Sequence, residues 1–387
     1  MTRVGRAGLT ASGPSPTRRQ QSRRSPGTRR SRHQQPDPAA QEVAGAPEAG
    51  RVERERPGQH DEDRHHPQQR QVERPCDPPV DRAHPRWVLG RGQPPPAPRS
   101  LGTMSAEHLP ARTHEAGPSR LVAYDHGAHL ATWELAGAPV VWCSEQAVLD
   151  GSKAIRGGVP VCFPWFADGP AGDLSPAHGV LRTATWHLDT ATGDEVWAWT
   201  ITDQDVVGSP GAEHVPGPFR VRYAVALGQE DDAPALDLCL TVHNPGAAPL
   251  PVEVALHTYL GVADATTATV HGLSGAEALD KVTGRRGRVE GAVGFEGETD
   301  LVVDSPGSPA VEVRDGTRAL RVRSHGATQT VVWNPGAERA AAMSDLGTQE
   351  WREFVCVETA ATAGLGLTLD PGATHTLGCT IAVHPAS

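Results

Sequence analysis

The sequence predicts an all-β protein, one large antiparallel sandwich or barrel. Short runs in which apolar and polar residues alternate with period two recur along the chain, and Gly, Pro, Asn and Asp punctuate them. Apolar spacing at i, i+3 and i+4, the mark of an amphipathic helix, is nearly absent. Many short strands with frequent turn signals fit a sandwich or barrel better than any helical fold.

The expected strands follow in order. Residues 128–135 and 140–143 open the series. Residues 183–189 and 195–203 flank Thr-Ala-Thr-Gly-Asp and read as a hairpin, and 219–227 alternates cleanly. Residues 236–243 and 252–262 flank the turn signal Asn244-Pro245-Gly246, and 311–314 and 319–323 flank Asp315-Gly316-Thr317. Residues 330–333, 354–359 and 376–383 complete the list.

The 387 residues fall into two chemically different pieces. Residues 1–103 hold 19 Arg, no Lys and 11 acidic residues, a net charge of +8. They are rich in Pro, Gln and Gly and too poor in apolar residues to offset the entropy of ordering. They are expected to be a disordered basic leader, or the product of an upstream start codon. Residues 104–387, opening at Met104, carry 17 basic and 35 acidic residues, a net charge of −18, and are expected to form one large folded domain. That acidity argues against a general nucleic-acid-binding surface, and no stretch approaches the length of a membrane span. Cys76, Cys143, Cys162, Cys239, Cys356 and Cys379 form no CxxC pair and several lie in apolar runs. Buried free thiols in a reducing, cytoplasmic compartment are expected. Lys153 and Lys281 are the chain's two lysines, which makes each notable against the arginine background.

Four segments put polar residues where a strand core would exclude them. The first, 152–182, presents Arg156 before Gly157-Gly158 and Arg182 after His178-Gly179, two cations on backbone free to turn sharply and approach a ligand. Two nearby guanidiniums suit a small anion such as a phosphate or carboxylate, although either alone reads equally as a surface ion-pair partner. In the second, His257 lies inside an apolar run, where a structural histidine is the commoner occupant. In the third, Asp280-Lys281 also reads as a turn pair. In the fourth, Glu358 ends the run Phe354-Val355-Cys356-Val357, where burial would raise its pKa as a general base requires, unless it reaches solvent at the strand end. No P-loop, GxGxxG, HExxH, CxxC or GxSxG pattern is present. An acid–base pair and anion-binding arginines on an all-β frame remain.

The run Ala154–Phe166, AIRGGVPVCFPWF, resembles the Arg-Gly-Gly signature of the hexose-6-phosphate mutarotases, in the aldose 1-epimerase or galactose mutarotase-like superfamily. PAHGVLR at 176–182 resembles that family's PAHGFAR, ALHTYL at 255–260 its ALHTYF, and Asp280-Lys281-Val282 its DKV. Trp333-Asn334-Pro335-Gly336, Met343-Ser344-Asp345 and FVCVETA at 354–360 follow in the family's order, so the resemblance spans nearly all of 120–384. It implies a β-supersandwich, His257 as general acid, Glu358 as general base, Arg156 and Arg182 on a sugar phosphate, and His178 and Asp280 on sugar hydroxyls or the ring. It implies an isomerase with no metal or organic cofactor, acting as a monomer on a hexose 6-phosphate. The alternatives are an epimerase for unphosphorylated aldoses and a non-catalytic carbohydrate-binding protein on the same frame. Leu260, and Val180-Leu181, stand where the family has Phe and Phe-Ala, and would reshape a pocket wall.

Overall fold

A computed structural model describes residues 108–189, 195–305, 310–362 and 364–386. The expected leader, Cys76 and the connection at 190–194 lie outside the described residues.

Two antiparallel sheets make the frame. The first runs Ala111–Ala116, Ser119–Tyr124, His129–Leu135, Ala138–Val141, Tyr259–Gly261, Phe354–Ala361, Gln329–Asn334, Thr299–Asp304, Glu277–Asp280, Arg285–Arg288, with Val254–Leu256 paired to Phe354–Ala361 and Val161–Cys162 paired to Val254–Leu256. The second runs Thr269–His271, Ala310–Arg314, Arg318–His325, Thr374–Pro385, Ala233–His243, Arg220–Glu230, Glu195–Thr202, His187–Leu188.

Alternation builds the layer between them. In Ala233–His243, Leu236, Leu238, Leu240 and Val242 are fully buried, and the intervening residues face the other way. They join Val221, Tyr223, Val322 and Ile381 of the same sheet and Leu121, Leu130, Val355 and Val357 of the first in one continuous apolar cluster. Ser324 and Thr359 hydroxyls meet across it at 2.8 Å.

Phe354–Ala361 is buried on both faces. Val355, Val357 and Ala361 point into the inter-sheet core. Phe354 and Cys356 join Trp142, Tyr259 and Trp333 on the opposite face, and Ala360 joins Cys162, Phe166 and Val331 there. Glu358 stands on that opposite face between the two clusters, and the strand continues past it to Ala361. A carboxylate reaching solvent at a strand end is thereby excluded.

Several expected elements differ. The run 252–262 divides into Leu250–Val252, Val254–Leu256 and Tyr259–Gly261, because the His257 N–H is drawn to the Pro160 carbonyl at 3.0 Å rather than into the ladder. Asn244-Pro245-Gly246 does not close a hairpin: Leu250–Val252 pairs with Leu367–Leu369, and the Asn244 amide ties the bend to the Ala248 and Leu369 carbonyls. The expected 183–189 strand shortens to His187–Leu188, since Leu181–Thr183 is a 3₁₀ turn.

Candidate active site

The register of the first sheet sets the centre of the site. Leu256 pairs with Thr359 and Tyr259 with Cys356, so counting inward brings His257 opposite Glu358. Cross-strand neighbours on one face lie within side-chain reach. His257 Nδ1 is 3.4 Å from Glu358 Oε1, and both residues are buried.

The pair lies at the base of a cleft of about 490 Å³, a size typical of small-molecule sites. Arg156, His178, Arg182, His257 and Glu358, five of the six expected site residues, line it. Asp280 does not. Its carboxylate accepts the backbone N–H groups of Val282 and Thr283 and the Thr283 hydroxyl, so it organises the turn that carries Lys281. The residue that replaces it at the cleft is Asp300, from the strand alongside, with Oδ2 3.6 Å from Lys281 Nζ. Lys281 also lies 5.6 Å from the Phe166 ring centroid. Glu298 and Arg339 form a second ion pair at the lining.

The glycines position the cations differently from the expectation. At Gly157, φ +101°, a Cβ would collide with the Cys143 backbone, and at Gly179, φ +77°, with the Phe163 carbonyl. The close approach they permit is therefore to neighbouring protein backbone, and it locks Arg156, His178 and Arg182 in place.

The two arginines are not equivalent. Arg156 donates from Nε and Nη2 to Asp345 at 3.3 and 3.2 Å and from Nη1 to the Tyr259 hydroxyl at 3.1 Å, leaving two N–H groups uncommitted. Arg182 has no hydrogen-bond or ion-pair partner among the described residues. Burial and the charge of Arg156 lower its pKa, the signature of a cation without a counterion. Tyr259 and Asp345 were present in the sequence motifs without a role, and only the fold joins them to Arg156. Tyr259 in turn stacks on the His257 ring, centroids 5.0 Å apart and planes 12° from parallel. Trp333 meets that ring edge-on at 5.7 Å.

Burial, then Arg182 and Arg156, push His257 down to about 3. Burial and the Asp300 charge push Glu358 well up, against a smaller opposing effect of Lys281. Both shifts favour the uncharged forms, a neutral imidazole beside a protonated carboxyl. The alternative ion-pair form, imidazolium and carboxylate, carries the same net charge.

Residues 113–382 match the family model for aldose 1-epimerase. The chain belongs to the aldose 1-epimerase family. Relatives provisionally named glucose-6-phosphate 1-epimerase are 32% identical over 265 residues in Cenchrus ciliaris (64% of this chain, 77% of the relative) and 32% identical over 239 residues in Escherichia coli K12 (60% and 77%). A solved structure from Salmonella typhimurium, provisionally titled a mutarotase, aligns with TM-score 0.62 at 26% identity, covering 72% of this chain and 94% of that one. This aldose 1-epimerase family member is an isomerase on an antiparallel β-sandwich frame, as the sequence motifs implied. Five cysteines, Cys143, Cys162, Cys239, Cys356 and Cys379, are free thiols. Among the described residues no helix is long and apolar enough to cross a membrane.

Proposed function

We propose that this family member interconverts the α and β anomers of a hexose 6-phosphate, glucose 6-phosphate first among them, by acid–base ring opening. The observation that carries the reading is the buried His257–Glu358 pair sharing one cleft with the unpartnered Arg182. The names of the relatives support the same substrate.

In the ion-pair form, carboxylate Glu358 takes the proton of the C1 hydroxyl while imidazolium His257 gives one to the ring oxygen. The C1–ring-oxygen bond breaks and the aldehyde forms. Glu358 is now protonated and His257 neutral, which is the form that burial favours in the empty site. After rotation about C1–C2, Glu358 returns its proton to the aldehyde oxygen, His257 takes that of the C5 hydroxyl, and the ring closes on the other face. Each ionisation state of the pair thus serves one covalent state of the sugar. No step calls for a metal or an organic cofactor.

The phosphate has a second use in this scheme. The charges of Arg182 and Arg156 hold His257 neutral. A phosphate dianion on Arg182, and on the two spare N–H groups of Arg156, offsets both charges and raises His257 toward the protonated form that opens the ring. Phosphate binding and loading of the acid are then one event. Free thiols, four of them buried, fit a reducing compartment such as the cytoplasm.

The direct test is Glu358→Gln, which keeps shape and removes the base. Mutarotation is expected to fall by about 10²–10⁴-fold, the scale of one general acid–base group. Near-normal turnover would end the assignment.

A further inference from the structure

His178 is held more firmly than contact with a sugar requires. Its backbone is left-handed at φ +65°, a conformation that costs a non-glycine residue energy and persists only where its surroundings impose it. Its ring is wedged edge-on between Phe166 (centroids 4.7 Å, 84°) and His257 (5.5 Å, 69°). On its inner side, Nδ1 accepts the backbone N–H of Ala167 at 3.2 Å and lies 3.5 Å from Cys162 Sγ.

The partners decide the proton's place. A backbone N–H only donates, so it favours a lone pair on Nδ1. Burial pushes the Cys162 thiol far up, so the sulfur carries its proton and is a second donor toward the same nitrogen. Burial, with Arg182 and His257 as further causes, also holds His178 well below the ordinary histidine range. A neutral imidazole has one N–H, and the two donors together keep it off Nδ1. The proton sits on Nε2, which has no partner among the described residues and is left for the cleft that His178 lines.

We propose that Cys162 and the Ala167 N–H lock His178 as its Nε2–H tautomer, a fixed hydrogen-bond donor to a substrate oxygen, with Cys162 as the positioning residue. The kinetic half of this rests on the mutarotase reading, whereas the tautomer is a property of the free protein. A locked donor has two consequences. His178 holds an oxygen of the sugar without competing with Glu358 for its proton. Nor can it displace His257 as the acid, because releasing the Nε2 proton would require Nδ1 to accept another against two donors.

Two measurements test it. Long-range ¹H–¹⁵N spectra of the ¹⁵N-histidine-labelled full chain read the His178 ring without substrate. A protonated Nε2 and unprotonated Nδ1, unchanged from pH 8 to pH 6, is expected. An Nδ1–H tautomer, or an imidazolium in that range, overturns the proposal. The second compares Cys162→Ala with Cys162→Ser in glucose 6-phosphate mutarotation. Loss of one modest hydrogen bond should lower kcat about three- to tenfold in Cys162→Ala with KM little changed, and the serine hydroxyl should recover most of it. The alanine variant should also show a mixed His178 tautomer, a signal that a packing defect alone does not produce. Equal, near-normal kcat in both variants, or a lowered kcat with the tautomer unmoved, would overturn the role of Cys162. If wild-type protein accelerates neither sugar, the functional reading fails, and the spectra still decide the lock.

Discussion

Replacing Arg182 by alanine separates the anion site from the chemistry. Arg182 is a half-buried cation without a partner among the described residues, so its removal orphans no carboxylate there and relieves a desolvation cost. Folding stability is expected to hold or rise. Two charge-assisted hydrogen bonds to phosphate oxygens are worth about 1.5–3 kcal/mol each, and water recovers part of that in the variant. A net loss of about 3 kcal/mol corresponds to a drop of roughly 100-fold in kcat/KM for glucose 6-phosphate, at about 1.4 kcal/mol per factor of ten. Free glucose lacks the dianion, so its kcat/KM should not fall; losing the Arg182 charge, which helps to hold His257 neutral, works toward the protonated acid. Parallel NMR exchange measurements on both sugars, with a thermal melt of each protein, give the comparison. Equal losses on glucose and glucose 6-phosphate would refute the phosphate assignment of Arg182.

Other predictions follow from the same geometry. Arg156→Ala should act on both sugars and lower the melting temperature, because it strands the buried Asp345 and frees the Tyr259 hydroxyl beneath His257, at about 3–5 kcal/mol for breaking such a pair; an effect confined to the phosphorylated sugar would contradict that structural role. Gly179→Ala, which puts a Cβ into the Phe163 carbonyl at positive φ, should destabilise by more than about 1 kcal/mol and depress kcat by displacing His178 and Arg182, read from urea midpoints and turnover. Acid should weaken the fold. His129 and His257 are held at about 3 and His178 well below 6.5, the value in the unfolded chain, so below about pH 6 the unfolded state binds up to three more protons and stability falls as pH drops. Glu358, raised above its unfolded value of 4.5, works the other way above pH 4.5, leaving about two protons and a net loss of roughly 2.7 kcal/mol per pH unit between those limits. Urea midpoints at pH 7 and pH 5 measure it, and an unchanged or higher midpoint at pH 5 would show that the histidines are not held neutral.

Much of the fold was legible because its strands are amphipathic. Ala233–His243 sends Leu236, Leu238, Leu240 and Val242 into the core with Asp237 and Thr241 between them only half-buried, and period two reveals that directly. Arg285–Arg288 is exposed throughout at the sheet edge, so it has no alternation to read. The break at His257 was invisible because it depends on a carbonyl, that of Pro160, almost a hundred residues away. The same limit governs the site. His257 and Glu358 stood out as polar residues in apolar runs, but their facing follows from the pairing of strands distant in sequence. Asp280 looked like a ligand and is a turn cap, whereas Asp300, in a strand with no site motif, lines the cleft. The commitment of Arg156 to Asp345 spans 189 positions and has no local trace.

The central claim is that one cleft joins a proton-handling pair to a phosphate site. Polarimetric or NMR exchange with glucose 6-phosphate and glucose side by side, on the full chain, tests it most directly. The account predicts rapid anomer exchange of glucose 6-phosphate, abolished in Glu358→Gln, and little acceleration of glucose. Equal acceleration of both sugars would contradict the phosphate site, and acceleration of neither would contradict the catalytic pair.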